Sequence, residues 1–114
     1  INTAKRKAKA AGVAAQFFQA DVTQLDFLSP PFDFALDMGC LHSIDPNRRG
    51  DYISGLRRLL RPGGLYLLYA FKPEAPMGGI AVDEMMTLFG GGFANLKVKH
   101  GEGRPSAWYT FARK

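Results

Sequence analysis

The stretch LDMGCLHSID, residues 36–45, places an acid, the single cysteine and one of the two histidines of the chain within six positions. Asp37, Cys40 and His42 could bind a metal, form a nucleophile pair, or surround a ligand at a strand end. Three candidate ligands fall short of the four of a closed zinc site, so we predict no metal here. A cysteine two residues from a histidine is no evidence of an activated thiol, and a small buried side chain is the simpler interpretation of Cys40.

The composition is that of one small globular domain. The chain has 114 residues, 46% of them hydrophobic, and a net charge of +5. Much of the positive charge lies within residues 5–9, which is typical of a solvated helix face. A single cysteine excludes an intrachain disulfide and suits a reducing compartment. No apolar run approaches the roughly 20 residues of a membrane span. We therefore expect a cytoplasmic location and no membrane partner.

The elements that position these residues follow from periodicity and turn signals. The second predicted strand, FDFALDM, is an apolar run, which favours a strand covered on both faces in a parallel sheet. Asp45-Pro46 resembles a helix N-cap followed by proline. We predict helices over residues 2–11, 46–60 and 82–89, and strands over residues 14–22, 32–38, 64–71, 94–100 and 106–114. This order predicts an α/β fold, mostly parallel, that closes with a C-terminal antiparallel hairpin.

With this order in hand, four segments resemble the class I S-adenosylmethionine-dependent methyltransferases. QFFQADV is similar to the third strand of that family, FDFALDMGCLH to its fourth strand and the loop that follows. LRRLLRPGGLYLLYAF resembles the fourth helix, its Pro-Gly-Gly turn and the fifth strand. LFGGGF and KVKHGEGRPSAWYTFARK match the closing helix and hairpin. The matches occur in order over nearly the whole chain, and they imply a Rossmann-like methyltransferase sheet with S-adenosylmethionine as cofactor.

Two family features are absent from residues 1–114. These are the glycine-rich loop after the first strand and the acid that ends the second strand. The resemblance therefore implies one partial methyltransferase domain over residues 1–114, truncated before the third strand of the family and inactive alone. In that sheet the third strand would lack its neighbours. We predict that residues 15–21 lie outside the main sheet or pair with another chain, which would allow self-association.

The resemblance also implies roles for individual residues. Asp21, with the backbone of Val22, would bind the adenine, although Asp21 could simply cap its loop. The backbone of Asp37 and Met38 would lie by the methionine part of the cofactor, or form an ordinary strand-end turn. His42 is the candidate catalytic base, with loop orientation or pocket lining as the alternative. The predicted substrate pocket, which could instead be plain core, consists of Leu41, Tyr69 and Phe71. Asp33 opens its strand away from the site and is predicted to be structural.

The activity implied is methyl transfer to a small-molecule acceptor. The alternative is a non-catalytic basic module that binds RNA or a protein partner. Its positive charge would come from the first helix and from the hairpin residues Lys97, Lys99, Arg104, Arg113 and Lys114. Nucleic-acid binding is disfavoured because the sequence lacks the exposed aromatic pattern that stacks on single-stranded bases.

Overall fold

A computed structural model describes residues 2–114 and contains three helices and four strands. The helices are α1 (Asn2–Ala10), α2 (Arg49–Leu59) and α3 (Val82–Phe89). The strands are β1 (Phe32–Met38), β2 (Leu60–Phe71), β3 (Phe93–His100) and β4 (Ser106–Arg113). Two short 3₁₀ turns, Leu41–Ser43 and Pro46–Arg48, connect β1 to α2. Seven of the eight predicted elements are present, and their order agrees with the sequence.

The four strands form one sheet in the order β1-β2-β4-β3. β1 pairs with β2 in parallel through the crossover helix α2, whereas β2 with β4 and β4 with β3 pair antiparallel. The predicted α/β class and closing hairpin are confirmed. Because the strand predicted at residues 14–22 does not form, only one of the three pairings described is parallel.

Residues 13–21 adopt no helix or strand. The prediction of a strand at residues 14–22 is wrong, whereas the prediction that residues 15–21 lie outside the main sheet is confirmed. Phe18 packs instead against Phe27, with ring centroids 5.2 Å apart. A strand needs a neighbour to satisfy its backbone groups, and this segment pairs with no strand among residues 2–114. Self-association through this segment stays a prediction.

The helix and strand ends follow the predicted local chemistry. Gly12 ends α1 with a φ of +69°, a conformation that favours glycine. The Asp45 carboxylate accepts a hydrogen bond from Asn47 N at 3.0 Å at the start of the second 3₁₀ turn. At the other end of α2, a Cβ on Gly64 would lie 2.8 Å from the Arg61 carbonyl oxygen. The Pro-Gly-Gly turn thus needs glycine to bring the chain back beside β1.

The hydrophobic core lies on one face of the sheet. Tyr66 and Phe111 on that face pack against Phe89 of α3, with ring centroids 5.6 Å and 4.4 Å away from that of Phe89. The opposite face of β1 presents exposed apolar side chains, Phe32, Phe34, Leu36 and Met38. The expectation that β1 is covered on both faces is therefore wrong for residues 2–114, since α2 and α3 both pack on the same side. No helix in this range is long and apolar enough to cross a membrane.

Candidate active site

The carboxyl ends of β1 and β2 lie side by side. Met38 pairs with Tyr69 in the parallel register, and Gly39 N donates to the Tyr69 carbonyl at 3.1 Å. Gly39 has a φ of +93°, which turns the chain sharply out of the strand into the loop that carries Cys40 and His42. In open α/β sheets, ligands bind outside such strand ends. The predicted strand-end loop is therefore located where a ligand site is expected.

Asp37 is buried at the centre of a hydrogen-bonded cluster beneath this loop. Its side chain points to the helix-covered face and the residue is only 4% exposed. One carboxylate oxygen, Oδ1, accepts from Cys40 N at 2.7 Å. The other, Oδ2, accepts from Leu41 N at 3.1 Å and from the hydroxyls of Tyr52 at 2.7 Å and Tyr66 at 3.0 Å. Four donors around one carboxyl group suit an ionised carboxylate.

The Asp37 cluster fixes the loop from below instead of facing a ligand. Burial, followed by the Asp37 carboxylate, raises the pKa of Tyr52 well above its usual value. Burial, followed by the neighbouring Tyr52 and then Asp37, does the same to the pKa of Tyr66. Both hydroxyls therefore stay protonated and remain donors. Tyr52 and Tyr66 were not predicted as site residues, because the sequence marks Tyr52 only as part of an apolar helix stripe and Tyr66 as part of an apolar strand.

His42 bridges the two strand ends above the loop. Its Nδ1 accepts a hydrogen bond from Phe71 N at 3.2 Å, and its ring stacks on Phe71 with centroids 4.7 Å apart. A Cβ built on Gly39 would lie 3.4 Å from Cε1 of His42 and 3.7 Å from its Nε2, so this edge of the ring covers the end of β1. Burial lowers the pKa of His42, while Asp37 acts to raise it and Arg49 to lower it. The imidazole is thus neutral near pH 7.

Cys40 lies in the same loop and is half-buried. Burial, followed by the nearby Asp37, raises the pKa of its thiol. A thiol with a raised pKa is a poor nucleophile at neutral pH. Within residues 2–114 no group of three or more histidine, cysteine or acidic side chains is arranged to hold a metal ion. The Asp37 carboxylate is in any case engaged by amides and tyrosines, so the local geometry favours the strand-end interpretation of residues 36–45.

Asp21 forms a small polar turn near the same edge. Its Oδ1 accepts from the Thr23 amide at 2.8 Å and from the Thr23 hydroxyl at 2.7 Å. Oδ2 lies 3.6 Å from the Arg48 guanidinium, in the connection that follows β1. The Thr23 hydroxyl and amide, with a smaller effect of Arg48, lower the pKa of Asp21. Asp21 therefore caps its loop and also keeps one ionised oxygen exposed, while Val22 packs partly against the core.

The predicted acceptor-pocket residues divide into two groups. Tyr69 and Phe71 are half-buried on the open face, where Tyr69 also packs against Trp108 with centroids 5.0 Å apart. Leu41 is fully buried in the core, so its assignment to the pocket is wrong. Its side chain lies beneath the loop because Asp37 draws the Leu41 amide inward. A cavity of about 590 Å³ between α1 and residues 13–18 involves none of these strand-end residues.

Two further predictions concern residues outside the loop. Asp33 accepts from Arg61 Nε at 2.8 Å at the far end of β1, which agrees with its predicted structural role. In the basic hairpin, Arg113 donates to the Leu60 carbonyl and Lys114 to the Gly90 carbonyl. These two cations stabilise the fold and are less available to a nucleic acid.

The residues present fit part of the cofactor that the sequence implies. The exposed Oδ2 of Asp21 can accept from an adenine amino group, and the exposed end of β1 at Met38 allows close approach of a ligand. Gly39 has no side chain to block that approach, and its positive φ favours glycine. The family's ribose-binding acid and its glycine-rich loop for the amino-acid end of the cofactor are not found in the sequence of residues 1–114. The fit therefore concerns the adenine and methionine ends of S-adenosylmethionine.

Comparison with known proteins identifies the family and the fold. A family model described as a methyltransferase domain matches residues 1–64. An N1-methyltransferase of 1,6-didemethyltoxoflavin from Burkholderia thailandensis, solved with S-adenosylhomocysteine, superposes with a TM-score of 0.81 at 24% identity, over 96% of this chain and 56% of its own. A SAM-dependent methyltransferase from Methanosarcina mazei gives a TM-score of 0.81 at 21% identity, over 100% of this chain and 76% of its own.

A third structure agrees with these two. The N-methyltransferase NodS from Bradyrhizobium japonicum, also solved with S-adenosylhomocysteine, matches with a TM-score of 0.73 at 14% identity, over 96% of this chain and 61% of its own. This chain thus spans 56% of the length of the toxoflavin enzyme and 61% of that of NodS. At these identities the structural matches establish the fold, and S-adenosylhomocysteine in two of them agrees with the predicted cofactor. Since the family model covers more than half of its residues, the chain belongs to the methyltransferase domain family, with the Rossmann-like fold of the class I S-adenosylmethionine-dependent enzymes.

Proposed function

We propose that this chain forms the acceptor side and part of the cofactor site of an enzyme that transfers a methyl group from S-adenosylmethionine to a small molecule. The observation that carries the proposal is the meeting of two parallel strand ends beside His42, with Met38 exposed at the end of β1. Membership of the methyltransferase family supports the reaction class. The small acceptor is supported by the short connection of residues 72–81 between β2 and α3, which adds no further domain over the site.

The cofactor supplies an electrophilic methyl group on a sulfonium, so the leaving group needs no protonation. The protein has to hold the acceptor in line with that methyl group and to exclude water. In this proposal Asp21 accepts from the adenine amino group, and Val22 contributes its backbone beside it. The backbone of Asp37 and Met38 lies along the methionine part. The carboxylate of Asp37 acts indirectly, because it holds the Cys40 and Leu41 amides and therefore the loop.

The acceptor lies on the open side of the strand ends in this proposal. Tyr69 and Phe71 form an aromatic wall there, with Trp108 behind Tyr69. His42 stacks on Phe71 at the edge of this wall, where it contacts the acceptor. Aromatic walls with few polar groups are typical of sites for small organic molecules.

We further propose that residues 1–114 alone do not bind the cofactor measurably. They contain no acid placed to hold the ribose hydroxyls and no glycine-rich loop for the amino-acid end. Calorimetry with S-adenosylhomocysteine on the 114-residue chain is expected to give no heat of binding. A longer protein from the same gene is expected to bind S-adenosylhomocysteine if the coding sequence before Ile1 supplies two elements. These are an acid within about six residues and a glycine-rich loop about twenty residues earlier. Tight binding by the 114-residue chain would overturn the assignment of cofactor contacts.

A matched pair of variants tests the adenine contact in that longer protein. Asp21→Ala is expected to weaken S-adenosylhomocysteine binding about tenfold or more, the loss of one hydrogen bond to a charged acceptor. Asp26→Ala removes an exposed acid from the same loop and serves as the control. Equal affinities for the two variants would remove Asp21 from the site. Salt-dependent binding of single-stranded RNA with micromolar affinity would instead favour the basic-module alternative.

A further inference from the structure

His42 has a defined tautomer because its Nδ1 faces a group that can only donate. The Phe71 N–H points at Nδ1 with an N···N distance of 3.2 Å. A backbone N–H has no lone pair to offer, so Nδ1 must be the acceptor and carries no hydrogen. A neutral imidazole has one N–H, which is therefore on Nε2. The imidazole also stacks on the Phe71 ring, which favours the ring plane in which this contact is made.

The Nε2 atom lies at the end of β1, 3.7 Å from the position that a Cβ on Gly39 would take. The Cε1–Nε2 edge lies over Gly39, the first residue after β1, and no side chain intervenes there. Nε2 makes no hydrogen bond to any protein atom among residues 2–114. The charged groups that act on the ring are Asp37 on β1 and Arg49 on α2, and Arg49 is itself 3.6 Å from Glu84 on α3. The site therefore contains one uncommitted, oriented donor.

We propose that His42 acts as a fixed hydrogen-bond donor to the methyl acceptor through Nε2–H, and not as a general base. It follows that His42 does not take a proton from the acceptor, which suits nucleophiles that attack without giving it one, namely thiolates or nitrogens with a free lone pair. This inference rests on the proposed methyl-transfer function.

A general base at this position would require the opposite tautomer. Nε2 could take a proton only if its lone pair were free, and the hydrogen would then be on Nδ1. Two N–H groups would face each other across 3.2 Å, and the Phe71 amide would lose its acceptor. Protonation of both nitrogens creates the same conflict, which agrees with the lowered pKa of His42.

The reaction balances without a protein base for both acceptor types. With a thiolate, a lone pair on the acceptor sulfur forms the new bond to the methyl carbon, and the methyl–sulfonium bond breaks with its electron pair staying on the departing sulfur. The product is a neutral thioether and no proton is released. With a neutral amine, the methylated product is an ammonium that loses its proton to water afterwards. In either case the Nε2–H binds a second lone pair of the acceptor, or the acceptor's neighbouring oxygen or nitrogen, and orients it.

The tautomer can be measured without any activity. Long-range ¹H–¹⁵N correlation spectra of ¹⁵N-histidine-labelled chain, recorded between about pH 5.5 and 8, report which ring nitrogen carries the hydrogen. The variant His100→Gln assigns the two histidines, since His100 lies in the distant hairpin. We expect His42 to show a single Nε2–H tautomer with a titration midpoint below the usual value for histidine, because burial lowers the pKa of His42. An Nδ1–H tautomer, or averaged shifts of both tautomers, would overturn the proposal.

The acceptor class is tested by activity of the full-length protein. Thiophenol and phenol differ in the acceptor atom, and at neutral pH thiophenol is largely ionised whereas phenol is not. We expect methylation of thiophenol and none of phenol. His42→Gln keeps an acceptor and an N–H donor but cannot take a proton, so it should retain thiophenol activity within about tenfold. His42→Phe keeps only the stacking and should lose more. A base role predicts phenol methylation and a loss of roughly 10²–10⁴-fold in His42→Gln.

The two experiments separate the proposals. If neither acceptor is methylated by the wild-type protein while S-adenosylhomocysteine binds, the thiol acceptor class is wrong even if the tautomer is as expected. If S-adenosylhomocysteine does not bind either, the proposed function itself fails, and the spectra still decide the tautomer of His42.

Discussion

Replacement of Asp37 by asparagine should destabilise the protein more than the same replacement of Asp33, the other acid in β1. Asparagine has the same shape, but one carboxylate oxygen becomes an NH₂ donor. If that NH₂ takes the place of Oδ1, it faces the Cys40 N–H, and if it takes the place of Oδ2, it faces the Leu41 N–H. The tyrosine hydroxyls can rotate to accept, but a backbone amide cannot. One buried N–H loses its acceptor in either orientation.

The magnitude follows from these contacts. A buried donor left without an acceptor costs about 1–3 kcal/mol, and each remaining hydrogen bond to a neutral rather than a charged acceptor is weaker by about 1 kcal/mol. Relief from burying the Asp37 charge offsets part of this sum. We therefore expect Asp37→Asn to lower the free energy of unfolding by about 2–4 kcal/mol. For a chain of this length that corresponds to a fall in Tm of roughly 8–16 °C.

The measurement is urea and thermal unfolding followed by circular dichroism. Asp33→Asn is the matched control on the same strand, because the Asp33 side chain is 84% exposed and its contact is an ion pair with Arg61. Such exposed pairs contribute at most about 1 kcal/mol. Tyr52→Phe removes one of the four donors to Asp37. It should lower the free energy of unfolding by about 1–2 kcal/mol, less than Asp37→Asn and more than Asp33→Asn. Equal stabilities of Asp37→Asn and Asp33→Asn would refute the interpretation of Asp37 as the centre of a buried cluster.

Three further outcomes are expected. Gly79→Ala should lower the free energy of unfolding in urea by about 1–3 kcal/mol, because its Cβ would lie 2.1 Å from the Phe71 carbonyl oxygen. Gly91→Ala, the control, meets no atom within 4 Å and should be nearly neutral, and the reverse order would contradict the local geometry. Leu41→Ala should lower the free energy of unfolding by about 2–5 kcal/mol in the same assay, because Leu41 is fully buried. A loss below about 1 kcal/mol would favour the original assignment of Leu41 to the acceptor pocket. At pH 8, iodoacetamide should alkylate Cys40 more slowly than it alkylates N-acetylcysteine, because burial raises the pKa of the Cys40 thiol, and the rate at Cys40 should keep rising at higher pH. Faster alkylation of Cys40 at pH 8 would indicate an activated cysteine.

Local signals in the sequence were enough to predict most of the fold. The Pro-Gly-Gly segment, the glycine after α1 and the Asp45 cap each operate within a few residues. The Pro-Gly-Gly segment lies within the first part of β2, where Gly63 has a positive φ and the pairing with β1 is irregular. The closing hairpin follows from two alternating segments around a short turn. These features depend on backbone geometry that the local residues determine themselves, and so no knowledge of distant contacts was needed.

The strand predicted at residues 14–22 failed for the opposite reason. Its apolar and aromatic residues are typical of a strand, but strand formation requires a partner whose amides and carbonyls pair with its own. The outer edge of β1 pairs with no strand among residues 2–114. Residues 13–21 therefore form no helix or strand, and Phe18 is 56% exposed. Composition alone does not contain this information.

Asp37 shows how the same limit affects the site. In FDFALDM the apolar residues Phe32, Phe34, Leu36 and Met38 alternate with Asp33, Ala35 and Asp37, and such a pattern ordinarily places the acids in water and the apolar row in the core. The structure has the reverse arrangement at Asp37, although Asp33 is exposed. Tyr52 and Tyr66 lie on the helix-covered face and supply donors to Asp37 there. Neither tyrosine is near Asp37 in sequence.

This inversion connects the fold to the proposed chemistry. With its carboxylate bound beneath the loop, Asp37 orders the Cys40 and Leu41 amides, which begin the 3₁₀ turn that carries His42. The turn places the His42 ring on Phe71, where the backbone N–H determines the tautomer and leaves the hydrogen on Nε2. A weakened Asp37 cluster should therefore loosen His42 as well as the fold. The spectrum of Asp37→Asn tests this link, since we expect His42 to lose its single tautomer under conditions in which the chain is still folded. A folded Asp37→Asn variant with an unchanged His42 tautomer would show that Phe71 alone determines the orientation of the ring.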